Sequence, residues 1–148
     1  KFGGGNVAAY ATYLKAKEET TVATFGDRTA YAVGVTVSTG AFSVGAGYKN
    51  DDEGETGDND EKHFGVGGAY STGPWKVALN YTAGADANGG GAGAEDDMTF
   101  LQLSGAYSWG PGVTLGAGIQ NTKWTDGGGV GTDENNATIA FFGTALSF

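Results

Sequence analysis

Large apolar residues alternate with small or polar residues at a period of two along most of this chain. Between Tyr31 and Val37 every second residue is tyrosine or valine, and Ala, Gly and Thr fill the positions between them. Successive side chains of a β-strand point to opposite faces, so this alternation predicts strands with one apolar face. The pattern recurs in segments 42–48, 64–70, 75–81, 101–109, 113–119 and 142–148, and a less regular segment at 7–16 brings the predicted count to eight strands.

The connections between these segments alternate between short turns and long polar loops. Tight turns are predicted at 39–40, 72–74 and 110–112, where glycine and proline favour chain reversal. Long polar loops are predicted at about 17–27, 50–61, 84–97 and 121–136. Short turns at one rim and long loops at the other are typical of outer-membrane barrels. The sequence therefore predicts an all-β fold, an antiparallel transmembrane β-barrel in the cell outer membrane.

Composition argues against several other classes of protein. No stretch contains the roughly 18 consecutive apolar residues that a membrane helix needs. The 29 glycines and an apolar fraction of 39% would give a soluble core little side-chain volume. The net charge of −9 argues against nucleic acid as a partner, since its phosphates need clustered Lys and Arg. The chain opens at Lys1 in mid-pattern, and we expect residues 1–148 to form a single barrel segment without a separate soluble domain.

Aromatic residues lie near the limits of the apolar stretches. Amphipathic rings favour the level of the lipid headgroups, where the ring is half-buried and its polar edge is wet. The alternative, in which these rings form the core of a soluble β-sandwich, does not account for the sorting of short turns and long loops. The predicted lipid-interface residues are Phe42, Tyr48, Tyr70, Trp75, Tyr81, Tyr107, Trp109 and Phe148.

The second face of the predicted strands carries mainly Gly, Ala, Ser, Thr, Asn and Gln. The interior of a closed eight-stranded barrel is filled by side chains, and these residues are too small to fill it. A wider barrel tolerates them because water occupies its centre, so we expect this chain to be part of a larger barrel. Polar residues on this face can tune the passage of solutes. The predicted pore-lining residues are Lys76, Asn80, Gln102, Ser104, Thr114 and Gln120.

Three stretches resemble one known family. The run Gly105–Ile119 resembles the penultimate hairpin of the general porins, especially those of α-proteobacteria, and Gly68–Trp75 resembles an earlier hairpin of that family. The ending Gly143–Phe148 is similar to the terminal strand whose final phenylalanine is read by the barrel-assembly machinery. The resemblance implies a 16-stranded homotrimeric barrel surrounded by outer-membrane lipid and lipopolysaccharide. This chain would be the C-terminal part, without the half that carries the inward-folded third loop.

Candidate metal and catalytic residues are few. Carboxylates in the predicted loop 50–61 could bind calcium at the cell surface, although their spacing is not that of an EF-hand. His63 is the lone histidine, with no second ligand and no positioned nucleophile near it in the sequence. We therefore expect no enzyme activity and no resident cofactor. The candidate ligands for loop-bound calcium are Asp51, Asp52, Asp58 and Asp60.

These patterns favour an outer-membrane porin that forms a water-filled channel for passive diffusion of small hydrophilic solutes and ions. One alternative is a complete eight-stranded outer-membrane barrel with a structural or adhesive role. Another is a secreted acidic calcium-binding β protein, suggested by the glycines and the acidic loops. Stepwise conductance in planar bilayers distinguishes the first from the second. Solubility without detergent would favour the third.

Overall fold

The computed structural model describes residues 4–17, 26–54, 60–87, 95–127 and 133–147. Each strand pairs antiparallel with its neighbour in sequence, so the sheet order is β1 to β8. The predicted fold class, an antiparallel barrel wall with eight strands from this chain, is confirmed. The strands are β1 Gly5–Ala16, β2 Arg28–Thr39, β3 Phe42–Asp51, β4 Glu61–Thr72, β5 Trp75–Ala87, β6 Glu95–Gly110, β7 Val113–Asp126 and β8 Asp133–Leu146.

Among the described residues there is no helix that could span a membrane.

The three predicted tight turns are confirmed, and the strands are longer at the other rim than the sequence indicated. Glycines with positive φ (56°, 53° and 74°) stand in the turns at Gly40, Gly73 and Gly112. Strand structure extends through parts of the predicted loops 84–97 and 121–136. The backbone ladder needs only N–H and C=O groups, so a hairpin can continue after its side chains become polar. The loop limits placed from side-chain polarity were wrong by several residues there.

The register assigns every side chain to one of two faces. Residues directly opposite each other in an antiparallel pair share a face. Val35 is directly opposite Ala9 on β1 and Ala46 on β3, so these three side chains share a face. The same rule, applied from strand to strand, assigns the faces of the other strands. We call the face that carries Val35 the outward face. On each strand, a seven-residue segment places four alternate residues on this face, and none of the four is charged. These segments form the apolar band: 7–13, 31–37, 42–48, 64–70, 75–81, 101–107, 113–119 and 140–146.

The apolar band does not follow one row of directly opposed residues, because it shifts along the strands from β1 to β8. Tyr13 is the last band residue on β1. The row of directly opposed residues that starts at Tyr13 reaches β8 at Glu134. The band on β8 begins at Ala140, so it shifts by six residues over seven strand pairings. With about 3.3 Å per residue and about 4.8 Å between strands, this shift corresponds to a strand tilt of about 30°. Transmembrane barrel strands tilt by a similar angle, which makes the band level with a membrane.

The sheet is a single layer without a buried apolar core. Among the described residues no apolar side chain is buried, and Phe142 and Trp109 are 75% and 71% exposed. A continuous exposed apolar surface of this kind is unstable in water and stable against lipid. The apolar band is therefore the membrane-spanning part of each strand.

The opposite face of the sheet is concave. A groove of about 660 Å³ lies against it along β1 to β5, and Gly45, Gly67 and Asn80 are among the residues that line it. Within the described residues β1 and β8 pair with β2 and β7 only, so the sheet has two open edges. We call the concave face the inward face.

Candidate pore wall

At the middle of the apolar band, the inward face is built almost entirely from small residues. The central residue of each seven-residue segment points inward, because the band residues on either side of it point outward. Seven of these eight central residues are glycine, alanine or serine, and Tyr10 is the exception. The eight residues are Tyr10, Gly34, Gly45, Gly67, Ala78, Ser104, Gly116 and Gly143. The wall is therefore thin at the level where a bilayer would be most apolar.

All six predicted pore-lining residues lie on the inward face. Asn80, Gln102 and Gln120 are directly opposite one another on β5, β6 and β7 and form one row of amides. The Nε2 of Gln120 donates a hydrogen bond of 3.2 Å to the hydroxyl of Thr122. The remaining residues lie nearer the turns: Ser104, Lys76 and Thr114. The structure therefore brings three of the six together, and their effect on solutes stays a prediction.

The alternation suggested that the inward residues are small or polar on every strand, but this does not hold on all of them. Large apolar side chains lie on the inward face in β1 and in β6 to β8. The sequence carries the signal in pairs such as Phe100-Leu101 and Phe141-Phe142, because successive large residues of a strand must point to opposite faces. The larger inward residues are Tyr10, Leu14, Met98, Phe100, Trp124, Ile139 and Phe141.

The predicted interface aromatics of the described strands lie at or just beyond the two limits of the apolar band. On the turn side, the rings of Phe42 and Tyr70 are 4.8 Å apart, and those of Trp75 and Tyr107 are 4.5 Å apart.

Trp109 lies edge-on to Tyr107 at 6.5 Å, next to a register shift between Ser108 and Gly110. On the loop side, Tyr48 is 6.0 Å from Tyr31, and Tyr81 ends the band on β5. Phe148 lies outside the described residues. The described aromatics thus form two groups, one at each level where lipid headgroups would lie. Their role at the interface stays a prediction.

Five charged or titratable side chains meet on the inward face at the loop rim, beyond the apolar band. Arg28 donates from Nε and Nη2 to the two carboxylate oxygens of Asp51, at 2.8 and 2.6 Å. Lys49 Nζ lies 2.7 Å from Glu61 and 3.5 Å from Asp51, and His63 Nε2 lies 2.5 Å from Glu61. Bidentate contacts between arginine and a carboxylate are among the strongest hydrogen-bonded interactions in proteins. We call these residues the rim cluster.

The rim cluster sets the ionisation of its carboxylates. The hydrogen bonds from Arg28 lower the pKa of Asp51 to about 2, against the opposing effect of burial, and Asp51 is only 2% exposed. Hydrogen bonds from Lys49 and then His63 lower the pKa of Glu61. Burial, followed by repulsion from Asp86 and Glu61, raises the pKa of Glu53 in the adjoining turn. Asp51 and Glu61 are therefore charged at neutral pH.

A row of carboxylates crosses the inward face at the same rim. Asp51, Glu61, Asp86 and Asp96 are directly opposite one another on β3 to β6. The row continues on β7 and β8 with the opposed pair Asp126 and Asp133. Like charges directly opposite one another in a sheet are destabilising. The rim cluster supplies positive charge only at the β3–β4 end of this row.

The family model for Gram-negative porins matches residues 1–127 of the chain. The chain belongs to the Gram-negative porin family. This match confirms the family indicated by the hairpins at Gly68–Trp75 and Gly105–Ile119. The porin family is a channel family and not a family of enzymes. No curated protein and no solved structure matches the chain.

Three of the four candidate calcium ligands of this porin have other partners among the described residues. Asp51 is held by Arg28, and Asp52 accepts hydrogen bonds from the backbone N–H of Thr29 and of Gly54. Asp60 lies 3.7 Å from Lys62. Asp58 lies outside the described residues. In the part of the chain that the structure describes, no three His, Asp or Glu side chains converge in the way that a metal ion requires.

The rim cluster was not predicted from the sequence. Arg28 and Asp51 are 23 residues apart, and only the strand register brings them together. The imidazole of His63 binds Glu61 and lies over Gly84. One signal was present: Lys49 with Asp51 and Glu61 with His63 are spaced by two, which places each pair on one face of a strand.

Acidification is expected to release the rim cluster of this porin. The pKa of Asp51 is lowered to about 2 from an ordinary 3.8, so the stability that it contributes is present above pH 3.8 and is lost as the pH falls through about 2. The N–H of Glu53 donates to Asp51 Oδ1 at 3.2 Å. We expect this amide to lose protection from hydrogen exchange over that range, after correction for intrinsic exchange.

Two variants test the cause of that transition. Arg28→Ala removes the largest stabilising contact of the Asp51 carboxylate, so its pKa should rise and protection should be lost at a higher pH. Lys123→Ala removes a separate ion pair with Glu134, at 2.8 Å on the outward side, and should leave the transition in place. A transition at the same pH in Arg28→Ala and in the wild type would contradict this assignment.

Proposed function

We propose that this porin forms a water-filled channel in the outer membrane of a Gram-negative bacterium, through which small hydrophilic solutes and ions diffuse passively. Membership of the porin family and the single-layer sheet with an outward apolar band support this function. In a channel of this kind, solutes are selected by bore and wall charge rather than by chemistry.

The observation that carries the proposal is the thin inward wall at mid-membrane level. Seven of the eight central inward residues are glycine, alanine or serine. Such residues cannot fill a narrow barrel, and they leave space for water in a wide one. The amide row of Asn80, Gln102 and Gln120 lies beside this level and offers donors and acceptors to passing solutes.

The carboxylate row gives the channel a preference for cations. Its members lie on the inward face at the loop rim, beyond the apolar band. Charge of one sign lining a mouth raises the local concentration of the opposite ion. The row runs along β3 to β8, and Arg28 and Lys49 offset part of its charge at the β3–β4 end.

In a membrane, both edges of the eight-stranded sheet need a partner strand. An edge strand in hydrocarbon would leave N–H and C=O groups without partners, at a cost of several kcal/mol for each group. Both β1 and β8 present such an edge within the described residues. We propose that further strands complete a wider barrel and, from the family resemblance, that three such barrels form a homotrimer.

The surrounding lipid is the second proposed partner. Lys15, Lys62 and Lys123 lie on the outward face just beyond the loop side of the apolar band. This is the level of the lipid headgroups, and lysine is a common ligand of phosphate. We propose that these side chains contact lipopolysaccharide phosphates. Recognition of Phe148 by the barrel-assembly machinery stays a prediction.

Planar-bilayer recording tests the function directly. Adding the purified protein should produce stepwise increases in conductance that do not saturate with salt concentration, as expected for a water-filled bore. Reversal potentials in a salt gradient should show cations passing more readily than anions. A folded protein that inserts but gives no steps would contradict the channel and favour a closed barrel with a structural role.

A further inference from the structure

The mid-membrane wall contains one large side chain, and its position depends on a glycine. Tyr10 on β1 lies directly opposite Gly34 on β2. A Cβ placed on Gly34 would lie 2.6 Å from Cζ and 2.8 Å from Oη of Tyr10. A second glycine, Gly47 on β3, is also under this side chain, since its Cβ would lie 3.2 Å from the same hydroxyl. The tyrosine ring therefore lies flat across two neighbouring strands instead of pointing into the bore.

The same arrangement recurs at other inward glycines. The Phe141 ring covers Gly118, the imidazole of His63 covers Gly84, and the Asn80 amide covers Gly67. Each covered glycine is directly opposite the covering residue in the register. Aromatic side chains that cover glycines on the neighbouring strand are a known way of stabilising sheets.

The outward glycines do not share this arrangement. A Cβ on Gly68 or Gly105 would meet its nearest neighbour at 3.7 Å, which is an ordinary contact. Inward glycines that have no large residue opposite are also open: Gly116 has its nearest neighbour at 3.8 Å, and Gly143 has none within 4 Å. Among the glycines of the described strands, close cover by a side chain is thus confined to the inward face.

We propose that Gly34 is a positioning residue for permeation, because it holds the Tyr10 ring flat against the wall and so keeps the bore open at mid-membrane. This inference rests on the proposed channel function. A methyl group at Gly34 occupies the space of the ring, so the ring must rotate away from the wall. The strand backbone lies behind the ring, so we expect the ring to turn towards the bore. Gly47 acts in the same way on the tyrosine hydroxyl, with a weaker contact.

Single-channel conductance tests the role of Gly34. The Gly34→Ala variant should have a lower conductance than the wild type, and Gly116→Ala, at the same level on the same face, should keep the wild-type value. In a Tyr10→Ala background the Gly34→Ala substitution should have no effect, because the ring that it displaces is absent. Equal conductance in wild type and Gly34→Ala would overturn the proposal. So would a loss that persists without the ring.

Gly47→Ala provides a milder test if Gly34→Ala does not fold. Its conductance should fall by less, and the loss should disappear in a Tyr10→Phe background, which lacks the hydroxyl. A loss that remains in Tyr10→Phe would overturn the proposal. A wild-type protein without conductance steps refutes the channel. A wild type that conducts, but whose conductance is unchanged by Gly34→Ala, refutes only the positioning role.

Discussion

Replacing Leu103 by arginine is expected to destabilise this porin in a phospholipid bilayer by about 2–4 kcal/mol, the cost of a cationic residue at the lipid face near the midplane. Leu103 lies near the centre of the apolar band on β6, on the outward face, and is 48% exposed. In the membrane this exposed surface contacts acyl chains, which cannot solvate a guanidinium. The measurement is urea unfolding of the protein inserted in lipid vesicles.

The adjacent residue is the matched control. Gln102 precedes Leu103 on the same strand and points to the inward face, where water solvates a charge. Gln102→Arg should therefore unfold at nearly the wild-type urea concentration while changing ion preference. If Gln102→Arg were the more destabilised of the two, the assignment of the faces would be reversed. Similar losses in both variants would point to a packing defect on β6 and not to lipid contact.

Replacing Asp86 by lysine is expected to reduce the cation-to-anion permeability ratio of the channel by about four- to ninefold at low salt. A change of two charges at about 10 Å from a passing ion in water, with weak screening, lowers the local cation concentration by about two- to threefold and raises the local anion concentration by the same factor. Asp86 belongs to the carboxylate row on the inward face, directly opposite Glu61, and is exposed. The permeability ratio from reversal potentials measures the effect, which should shrink as salt is raised.

An outward carboxylate on the next strand controls for net charge. Asp97 lies opposite Ala85, one residue from Asp86, and points to the outer surface. Asp97→Lys changes the total charge by the same amount and should leave the permeability ratio close to that of the wild type. An equal change in both variants would mean that the whole surface charge sets ion preference. No change in Asp86→Lys would remove the carboxylate row from the permeation path.

The strands and their two faces were accessible from the sequence because each depends on neighbouring residues alone. Val33 and Val35 must share a face in any strand, and glycine at residue 73 followed by proline marks a reversal without reference to the rest of the chain. The six pore-lining candidates lie on the inward face for the same reason. The loop limits were less accessible, since a backbone ladder continues where side chains become polar.

The contacts that cross the sheet were not accessible in this way. The pairing of Arg28 with Asp51 and the cover of Gly34 by Tyr10 depend on which residues stand opposite each other on separate strands. A shift of one residue in the register would move every side chain of a strand to the other face. Asp51 consequently looked like a loop carboxylate free to bind calcium, and in the structure it is 2% exposed against an arginine.

The sequence by itself determined that the chain forms antiparallel strands with a lipid side and a water side, because the period of side-chain direction along a strand is fixed by backbone geometry. Only the tertiary structure decided which residues meet across strands and how far the strands tilt. It did so because the register aligns side chains that are distant in the chain, and the shift of six residues in the apolar band across that register sets the tilt.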